Sequence, residues 1–491
     1  MTLHSAEAGV PSAAMKRIRS TRCRRKNEPS ARQPSLGTHT VTKTASMPLA
    51  ARLADFACAA KAAEVPSEAR RAAAACLANF LGSALVRTGL PWAEHGVRTA
   101  QSESGLHTII GHSSLAPAPL AAYANSVLGA STAQVDTIPS SAVHAGLVVL
   151  PVLLAASETC DASGEDLEAA VVVGYEVAGA LGDALFGGQR TVRFRPTSVV
   201  GPLAAAAAAS RLLRLNHDQT THAIALAANT SAGLMEWAKA GTAELVFQGG
   251  FAAQSAWTAT TLARMGGQAA LTTLDGPSGW LNSFGASADA AGSVRDLGSG
   301  KWLLSVAHKA APACFFVQTL AQAALKAAQL RPVIPESVSL VEIGTYRAAV
   351  HYPGCDRNTG VNSVQAARMS LPFGVVATLA HGNTRLENWI AFHDSRVQQL
   401  LAKTRLIEDE SITRAYPGKQ GGFVRVRFID GFVAEARQED YEAIGEDELF
   451  ARLTNAAERA FEYHRARDLH DMCRNLASVR TAAELVRQLR A

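Results

Sequence analysis

Histidine and cysteine are the residues best suited to bind a metal, and their spacing in this chain argues against a metal site. His107 and His112 are five residues apart, and so are His217 and His222. Two ligands on one helical face would be four apart. The seven cysteines include no C-x-x-C motif, which disfavours a zinc ribbon, a local iron–sulfur motif and a disulfide framework. We therefore expect no metal, and a reducing cytoplasmic environment.

The motifs of several common enzyme classes are also missing. The chain has no G-x-x-x-x-G-K-[ST], no G-x-G-x-x-G after a strand, no H-E-x-x-H and no G-x-S-x-G. Phosphate-binding loops, zinc proteases and serine hydrolases therefore have no support from the sequence.

Charge and hydropathy limit the partners of the chain. Of 491 residues, 48% are hydrophobic and 18% charged, which is typical of a globular protein. Residues 1–47 hold nine Lys/Arg and two Glu, and the remaining 444 residues hold 38 Lys/Arg and 40 Asp/Glu. The segment therefore carries +7 and the remaining residues −2, so the net charge of +5 comes from the segment, and we predict neither a nucleic-acid nor a membrane partner. The longest apolar run, 142–156, is interrupted by His144 and Pro151 and is too short to span a bilayer.

The basic segment itself has no helical periodicity. We predict that residues 1–47 are a disordered extension and that Met47 is the functional start, because their low apolar content cannot offset the entropy of ordering. A targeting peptide or a nucleic-acid arm is the alternative.

The elements that must position any functional residues follow from the hydrophobic periodicity. Residues 48–305 have helical spacing throughout, including a helix beginning near Ser67 and a fully buried one around Ala204–Ala209. The period changes after residue 331, with a strand over 337–346 and a hairpin turning at Asp430 and Gly431. The last stretch, 446–489, is helical again. The fold class is therefore mainly α, with a large all-helical domain and a smaller α+β domain.

Ten segments, in order, resemble the MmgE/PrpD family, which includes 2-methylcitrate dehydratase, cis-aconitate decarboxylase and iminodisuccinate epimerase. They are Ile109-Ile110-Gly111, 121–125, Asp136-Thr137, His144, 151–158, 174–177, Arg195-Pro196-Thr197, 231–235, Lys309 with Pro312 and Cys314, and 367–373. The resemblance covers nearly all of residues 48–475.

This resemblance implies an N-terminal helical domain over 48–305, a small α+β domain over 306–444 and C-terminal helices, 445–491, that pack on the first domain. It also implies a homodimer and a site between domains that uses neither metal nor organic cofactor. The reactions of the family dehydrate, decarboxylate or epimerise small di- and tricarboxylic acids, and in each of them charge develops beside a carboxylate.

Site residues are carried over by position in these motifs. The resemblance makes His144 the acid/base, Thr137 and Lys309 its catalytic companions, and Asp136 either an orienting group for His144 or a helix cap. We expect the substrate carboxylates to contact four further residues, Arg195, Arg193, Gln248 and Cys314.

The chain departs from the family at several of these points. Ala133 and Val135 replace acidic residues, Arg195 stands where the family has His, and the segment from Glu244 to Gln248 lacks the usual Lys and His. Three functions stay open: a cofactor-independent lyase, an epimerase of an amino- or iminodicarboxylate in which Glu244 supplies a second proton-transfer group, and an inactive homologue that binds a ligand.

Overall fold

Helical periodicity from residue 49 onward is realised as a series of α-helices. A computed structural model of the chain describes residues 47–187, 193–286 and 290–491; the predicted basic extension, up to residue 46, lies outside them. The first part contains α1 (Leu49–Ala59), α2 (Ser67–Leu85), α3 (Pro91–Ala100), α4 (Ala118–Ala130), α5 (Gly146–Ser157), α6 (Gly164–Phe186), α7 (Pro196–Leu212), α8 (His217–Ala228), α9 (Glu236–Ala240), α10 (Glu244–Arg264), α11 (Trp280–Ser283) and α12 (Lys301–Leu304), with a two-stranded ribbon of β1 (His107–Thr108) and β2 (Leu115–Ala116).

Small residues allow these helices to pack closely. A Cβ atom added to Gly174 in α6 would lie 2.5 Å from a methyl carbon of Val149 in α5, and one added to Gly201 in α7 would lie 2.7 Å from Val148. The alanines 204–209 of α7 are fully buried, which confirms the predicted buried helix. Helices α5, α6 and α7 thereby form the centre of a first hydrophobic core.

Helix α6 is long and apolar enough to cross a membrane by length and composition alone. Within its most apolar stretch, 83% of the residues are buried inside the protein. It begins with a capping box, in which the Ser163 side chain accepts from the Asp166 amide and Asp166 accepts from the Ser163 amide. Burial of this kind is typical of a central core helix.

A four-stranded sheet with helices on it forms the second part. Its helices are α13 (Gln318–Leu330), α14 (Arg347–Val350), α15 (Val364–Met369), α16 (Leu371–His381), α17 (Leu386–Ile390), α18 (Ser395–Leu401) and α19 (Glu410–Ala415), and its strands are β3 (Val338–Thr345), β4 (Thr404–Glu408), β5 (Gly422–Phe428) and β6 (Val433–Gln438). The strand order is β4-β3-β5-β6, with β3 parallel to β4 and the other pairs antiparallel.

The sheet confirms the predicted change of period. Strand β3 occupies the predicted 337–346 to within one residue at each end, and β5 and β6 form the hairpin predicted at Asp430 and Gly431. Gly431 has φ 89°, a value that favours glycine. A second hydrophobic core lies between this sheet and helices α13, α16 and α18.

The final helices are α20 (Glu446–Ala460), α21 (Tyr463–Arg474) and α22 (Ala482–Arg487). Their buried residues, among them Phe450, Leu469 and Leu485, belong to the first core rather than the second. The chain therefore returns to the helical part after completing the sheet. This confirms the fold class, mainly α with a smaller α+β part. The exact domain boundaries at 305 and 444 stay predictions, because residues 47–491 form one compact unit.

Candidate active site

A cavity of about 1340 Å³ lies where the two cores meet. Its wall combines the loop before α5, the start of α7, the loop before α13, and α15. These four segments contribute His144, Arg195, Lys309 with Cys314, and Arg368. Five of the residues important to the chemistry thus come from elements that are distant in sequence.

The imidazole of His144 is held by its Nδ1 atom. Nδ1 lies 2.7 Å from the main-chain carbonyl oxygen of Asp136 and 3.0 Å from Oγ1 of Thr137. Since a carbonyl oxygen only accepts, Nδ1 carries the proton of the neutral ring, and Nε2 is left as an acceptor. Burial, Lys309 and Arg195 together hold the His144 pKa well below its usual value. His144 is therefore neutral at physiological pH and can take up a proton at Nε2.

Main-chain pairing places Lys309 near His144. Thr137 and Ala307 exchange two hydrogen bonds, with N···O distances of 3.0 and 2.8 Å. A further bond runs from the Ile138 amide to the Val143 carbonyl, 2.8 Å away, and closes the loop that ends at His144. The segment carrying Lys309 is thus fixed to the loop carrying His144, although more than 160 residues separate them in sequence.

Lys309 and Arg195 are buried cations. Lys309 is 3% exposed and Arg195 5% exposed. Burial lowers the pKa of Lys309 to about 8, although Cys314 and Asp136 oppose the shift, and burial lowers the pKa of Arg195 to about 10. Arg195 precedes α7 and donates through Nη1 to the Leu245 carbonyl. Within the described parts of the chain, Nζ of Lys309 makes no hydrogen bond.

Arg368 is a third buried cation in the wall, although it was not among the predicted site residues. It is 1% exposed, and its Nη2 donates to the Ser131 carbonyl at 2.7 Å. Its Nε and Nη1 find no acceptor among the described residues, and burial lowers its pKa to about 9. The available signal was its place in the motif over 367–373, where the family has Lys.

The carboxyl group of Asp136 does not contact His144. Its Oδ1 accepts from the Gly146 amide at 3.2 Å, at the start of α5, and its Oδ2 accepts from the Tyr175 hydroxyl. Of the two predicted roles, the geometry therefore fits a helix cap, while only the main-chain oxygen of Asp136 holds His144. Burial raises the pKa of Asp136 to about 6.

The other predicted site residues divide between the wall and its surroundings. Arg193 and Cys314 line the cavity, with Arg193 exposed and Cys314 half-buried. Thr137 lies behind the wall and reaches it only through His144. Gln248 lies outside the wall and donates to the Leu234 carbonyl at 2.9 Å. Glu244 is exposed at the first turn of α10, also outside the wall.

The cavity has a strong excess of positive charge. Among the residues that the structure describes, seven Lys and Arg side chains line it against two carboxylates: Arg193, Arg195, Lys239, Lys309, Arg347, Arg357 and Arg368 against Glu236 and Asp356. Residues 48–491 as a whole carry a charge of −2, so the excess is local. Such a concentration of cations attracts small anions with several negative charges.

Comparison with known proteins finds two family domains in the chain. Residues 51–292 match the MmgE/PrpD N-terminal domain, and residues 311–476 match the MmgE/PrpD C-terminal domain. Among curated proteins, the chain is 29% identical over 239 residues to the cis-aconitate decarboxylase-like protein oryM of Aspergillus oryzae, covering 46% of this chain and 49% of the relative.

Mammalian proteins are also similar. The chain is 32% identical over 304 residues to the cis-aconitate decarboxylase of Mus musculus, covering 59% of this chain and 61% of the relative. The matches thus span between about half and three fifths of the length of these relatives. The two matched domains together cover most of the chain, and the chain belongs to the MmgE/PrpD family.

Proposed function

We propose that the protein is a lyase that removes water or carbon dioxide from a small di- or tricarboxylic acid, without a metal or an organic cofactor. The observation that carries this proposal is the set of three buried cations, Arg195, Lys309 and Arg368, around one cavity. Within the described ranges, none of the three forms an ion pair with a carboxylate side chain. Burying uncompensated charge is costly, so a bound anion is the natural source of compensation.

Neutral His144 supplies the group that such a reaction needs to move a proton. Its Nε2 would remove a proton from the carbon beside a substrate carboxylate, and the electron pair would move into that carboxylate as an enolate-like dianion. Lys309 and Arg195 would stabilise this charge, because preformed cations in a water-poor site act most strongly where charge develops. Expulsion of hydroxide, protonated as it leaves, would complete a dehydration.

Decarboxylation would use the same cations, but the order of the steps would differ, because carbon dioxide leaves before a proton is added. Loss of carbon dioxide leaves an electron pair on carbon beside a remaining carboxylate, and a proton is then delivered to that carbon. Lys309, with its pKa of about 8, would serve as the donor. The cis-aconitate decarboxylase names of the relatives support this branch. The replacement of acidic residues by Ala133 and Val135 favours a divergent substrate.

Epimerisation of an amino- or iminodicarboxylate is the second candidate. It needs removal of a proton from one face and its return on the other, and therefore two groups that face the cavity. Glu244 was the predicted second group, but it lies outside the cavity wall. Lys309 and Cys314 line the cavity with His144, so either could take that part.

Proton NMR in deuterated water would distinguish these functions. The panel contains cis-aconitate, citrate, methylcitrate and iminodisuccinate. Loss of water or carbon dioxide would support the lyase, and deuterium at a substrate carbon without net conversion would support the epimerase. Binding of a tricarboxylate with no reaction would indicate an inactive homologue. If no carboxylate binds at millimolar concentration, the proposal is wrong.

Two controls accompany this assay. His351 also lines the cavity but is exposed and paired with Glu408, so His351→Gln should leave turnover within about threefold, whereas His144→Gln should abolish most of it. Prolonged EDTA treatment should leave turnover unchanged, since among the described residues no three His, Cys, Asp or Glu side chains cluster as metal ligands. Recovery of lost activity by added zinc or iron would contradict the cofactor-free mechanism.

A further inference from the structure

Two cysteine thiols meet at the wall of the cavity. Cys314 is half-buried and lines the cavity beside Lys309, while Cys355 is fully buried behind it. Both are free thiols. The two side chains interact, since Cys355 lowers the pKa of Cys314 and Cys314 raises the pKa of Cys355. No function proposed above uses Cys355, and only the epimerase alternative gives Cys314 a part.

The main chain holds the two cysteines against one short segment. The Cys314 amide donates to the Arg368 carbonyl at 2.8 Å, and the Leu371 amide donates to the Cys355 carbonyl at 2.9 Å. Residues 368–371 join α15 to α16, so both cysteines are anchored to the same turn of the second core. Their proximity therefore belongs to the packed structure and does not depend on a loop.

The two thiols differ in reactivity. The interaction with Cys355, the charge of Lys309 and the amides of Phe315 and Phe316 lower the pKa of Cys314 despite its burial. Burial and the neighbouring Cys314 raise the pKa of Cys355 well above its usual value. A thiolate is the nucleophile in thiol chemistry, so Cys314 is prepared to react with a compound in the cavity, and Cys355 is prepared to react afterwards.

We propose that Cys314 is an oxidation site of this protein and that Cys355 resolves it into an intramolecular disulfide. The oxidant is a hydroperoxide small enough to enter the cavity. The Cys314 thiolate attacks the peroxide, an S–O bond forms, the O–O bond breaks, and hydroxide or an alcohol leaves. Cys355 sulfur then attacks the sulfenic acid, the S–S bond forms, and water leaves. Two thiols are oxidised and one peroxide is reduced.

The bridge alters the cavity wall in two ways. It removes the polarizable thiolate beside Lys309, and it requires the Cys314 and Cys355 backbones to adjust to disulfide geometry. Both backbones are bonded to 368–371, which contains Arg368, so oxidation should weaken carboxylate binding. This consequence for activity rests on the proposed function, whereas formation of the bridge does not.

Mass spectrometry tests the bridge directly. The full chain is treated with hydrogen peroxide at neutral pH, the remaining thiols are blocked, and the protein is digested without reduction. We expect a peptide pair joined through Cys314 and Cys355, two hydrogens lighter than the free peptides, that dithiothreitol separates. Cys355→Ser and Cys355→Ala should both abolish the pair and leave Cys314 as a sulfenic acid that dimedone traps.

Cys58 provides the matched control. It is exposed, and its thiol contacts the Leu215 carbonyl and Thr220 rather than another thiol. Cys58→Ser should not change the yield of the joined peptides. If Cys314 is modified no faster than Cys58, or if its oxidised form pairs with no cysteine while the fold is intact, the proposal is overturned. A joined peptide pair in a protein without lyase activity would leave the bridge supported and contradict only the proposed function.

Discussion

His144 is the residue on which the proposed chemistry depends most directly. Replacing it with Gln keeps a polar side chain of similar reach but removes the proton acceptor at Nε2. We expect kcat to fall by ~10² to 10⁴, the usual contribution of a general acid or base, with a melting temperature close to that of the wild type. Steady-state kinetics on the substrate identified by NMR measure this. A variant within threefold of the wild type would make His144 a structural residue.

The buried charge of Lys309 should lower the stability of the folded protein while it contributes to activity. Its pKa is lowered from 10.5 to about 8, which corresponds to a cost on the order of 3 kcal/mol for the folded protein when the amine is charged. Because the folded pKa is the lower one, this cost is complete below pH 8 and disappears as the pH rises towards 10.5. Lys309→Met removes the charge, so we expect the free energy of unfolding at pH 7 to rise by about 1 to 3 kcal/mol while activity is lost.

Urea unfolding at pH 7 and pH 9.5 measures both parts of this prediction. The wild type should gain stability over that interval relative to Lys309→Met. Lys301→Met is the control, since Lys301 is exposed and paired with Asp296 and its loss should change stability by less than about 0.5 kcal/mol. A less stable Lys309→Met at pH 7 would show that Lys309 is compensated in the unliganded protein.

At this scale the sequence predicted some of the site but not all of it. His144, Lys309, Arg195 and Cys314 were predicted from motifs, and Arg193 from its place two residues before Arg195; all five line one cavity. Gln248 was predicted from its position in a divergent motif, but its direction on α10 is set by packing, and it reaches the Leu234 carbonyl instead. No periodicity reports which rotamer a side chain takes. Arg368 was missed although its place in the motif over 367–373 could have indicated it.

At the scale of elements, the contact between α5 and α6 positions His144. Helix α5 begins two residues after His144, and Gly174 of α6 is packed against Val149 of α5. Alanine is a better helix former than glycine by ~1 kcal/mol. An alanine Cβ at position 174 would nevertheless lie 2.5 Å from Val149 and 3.1 Å from Ala208. We expect Gly174→Ala to destabilise the protein by about 1 to 3 kcal/mol.

Thermal unfolding of Gly174→Ala is compared with that of Gly418→Ala. Gly418 is exposed, and a Cβ there would meet only the Ala415 carbonyl oxygen at 3.4 Å, so its replacement should be nearly neutral. If Gly174→Ala instead melts above the wild type, helix propensity outweighs the contact, and small residues do not determine the spacing of α5 and α6.

Elements with a clear hydrophobic period were predicted well. The sequence did not show in which of the two cores a buried side chain packs. The strand over 337–346, the hairpin at Asp430 and the buried alanine helix were all found. Residues 235–238 fall within the predicted helical domain and within the matched N-terminal family domain, yet the side chains of Met235 and Trp237 pack in the second core. Hydrophobic spacing shows that a residue is buried, and it carries no information on which of two neighbouring cores receives it.

At the scale of the whole molecule, the basic extension should be dispensable for the fold. The first residue of the first core is Leu49, and residues 47–491 form one compact unit. We expect a chain starting at Met47 to keep the melting temperature and turnover of the full chain. A fall of more than about 5 °C would mean that residues 1–46 contribute contacts to the folded protein.

We also expect a bound anion to stabilise both cores together, so that they unfold in a single transition. Arg195 lies at the start of α7 in the first core, and Arg368 lies in α15 of the second, donating across the boundary to Ser131. A tricarboxylate held by both would link the cores, and at 100 times its Kd it would stabilise the folded chain by about 2.7 kcal/mol. We expect tricarballylate, which has no leaving group, to raise the temperature of a single calorimetric transition, and acetate at equal ionic strength to have little effect. Added salt should reduce the shift, because part of the attraction crosses a solvent-filled cavity. If the anion shifts only one of two separate transitions, it binds to one core and the boundary between the cores is not the site.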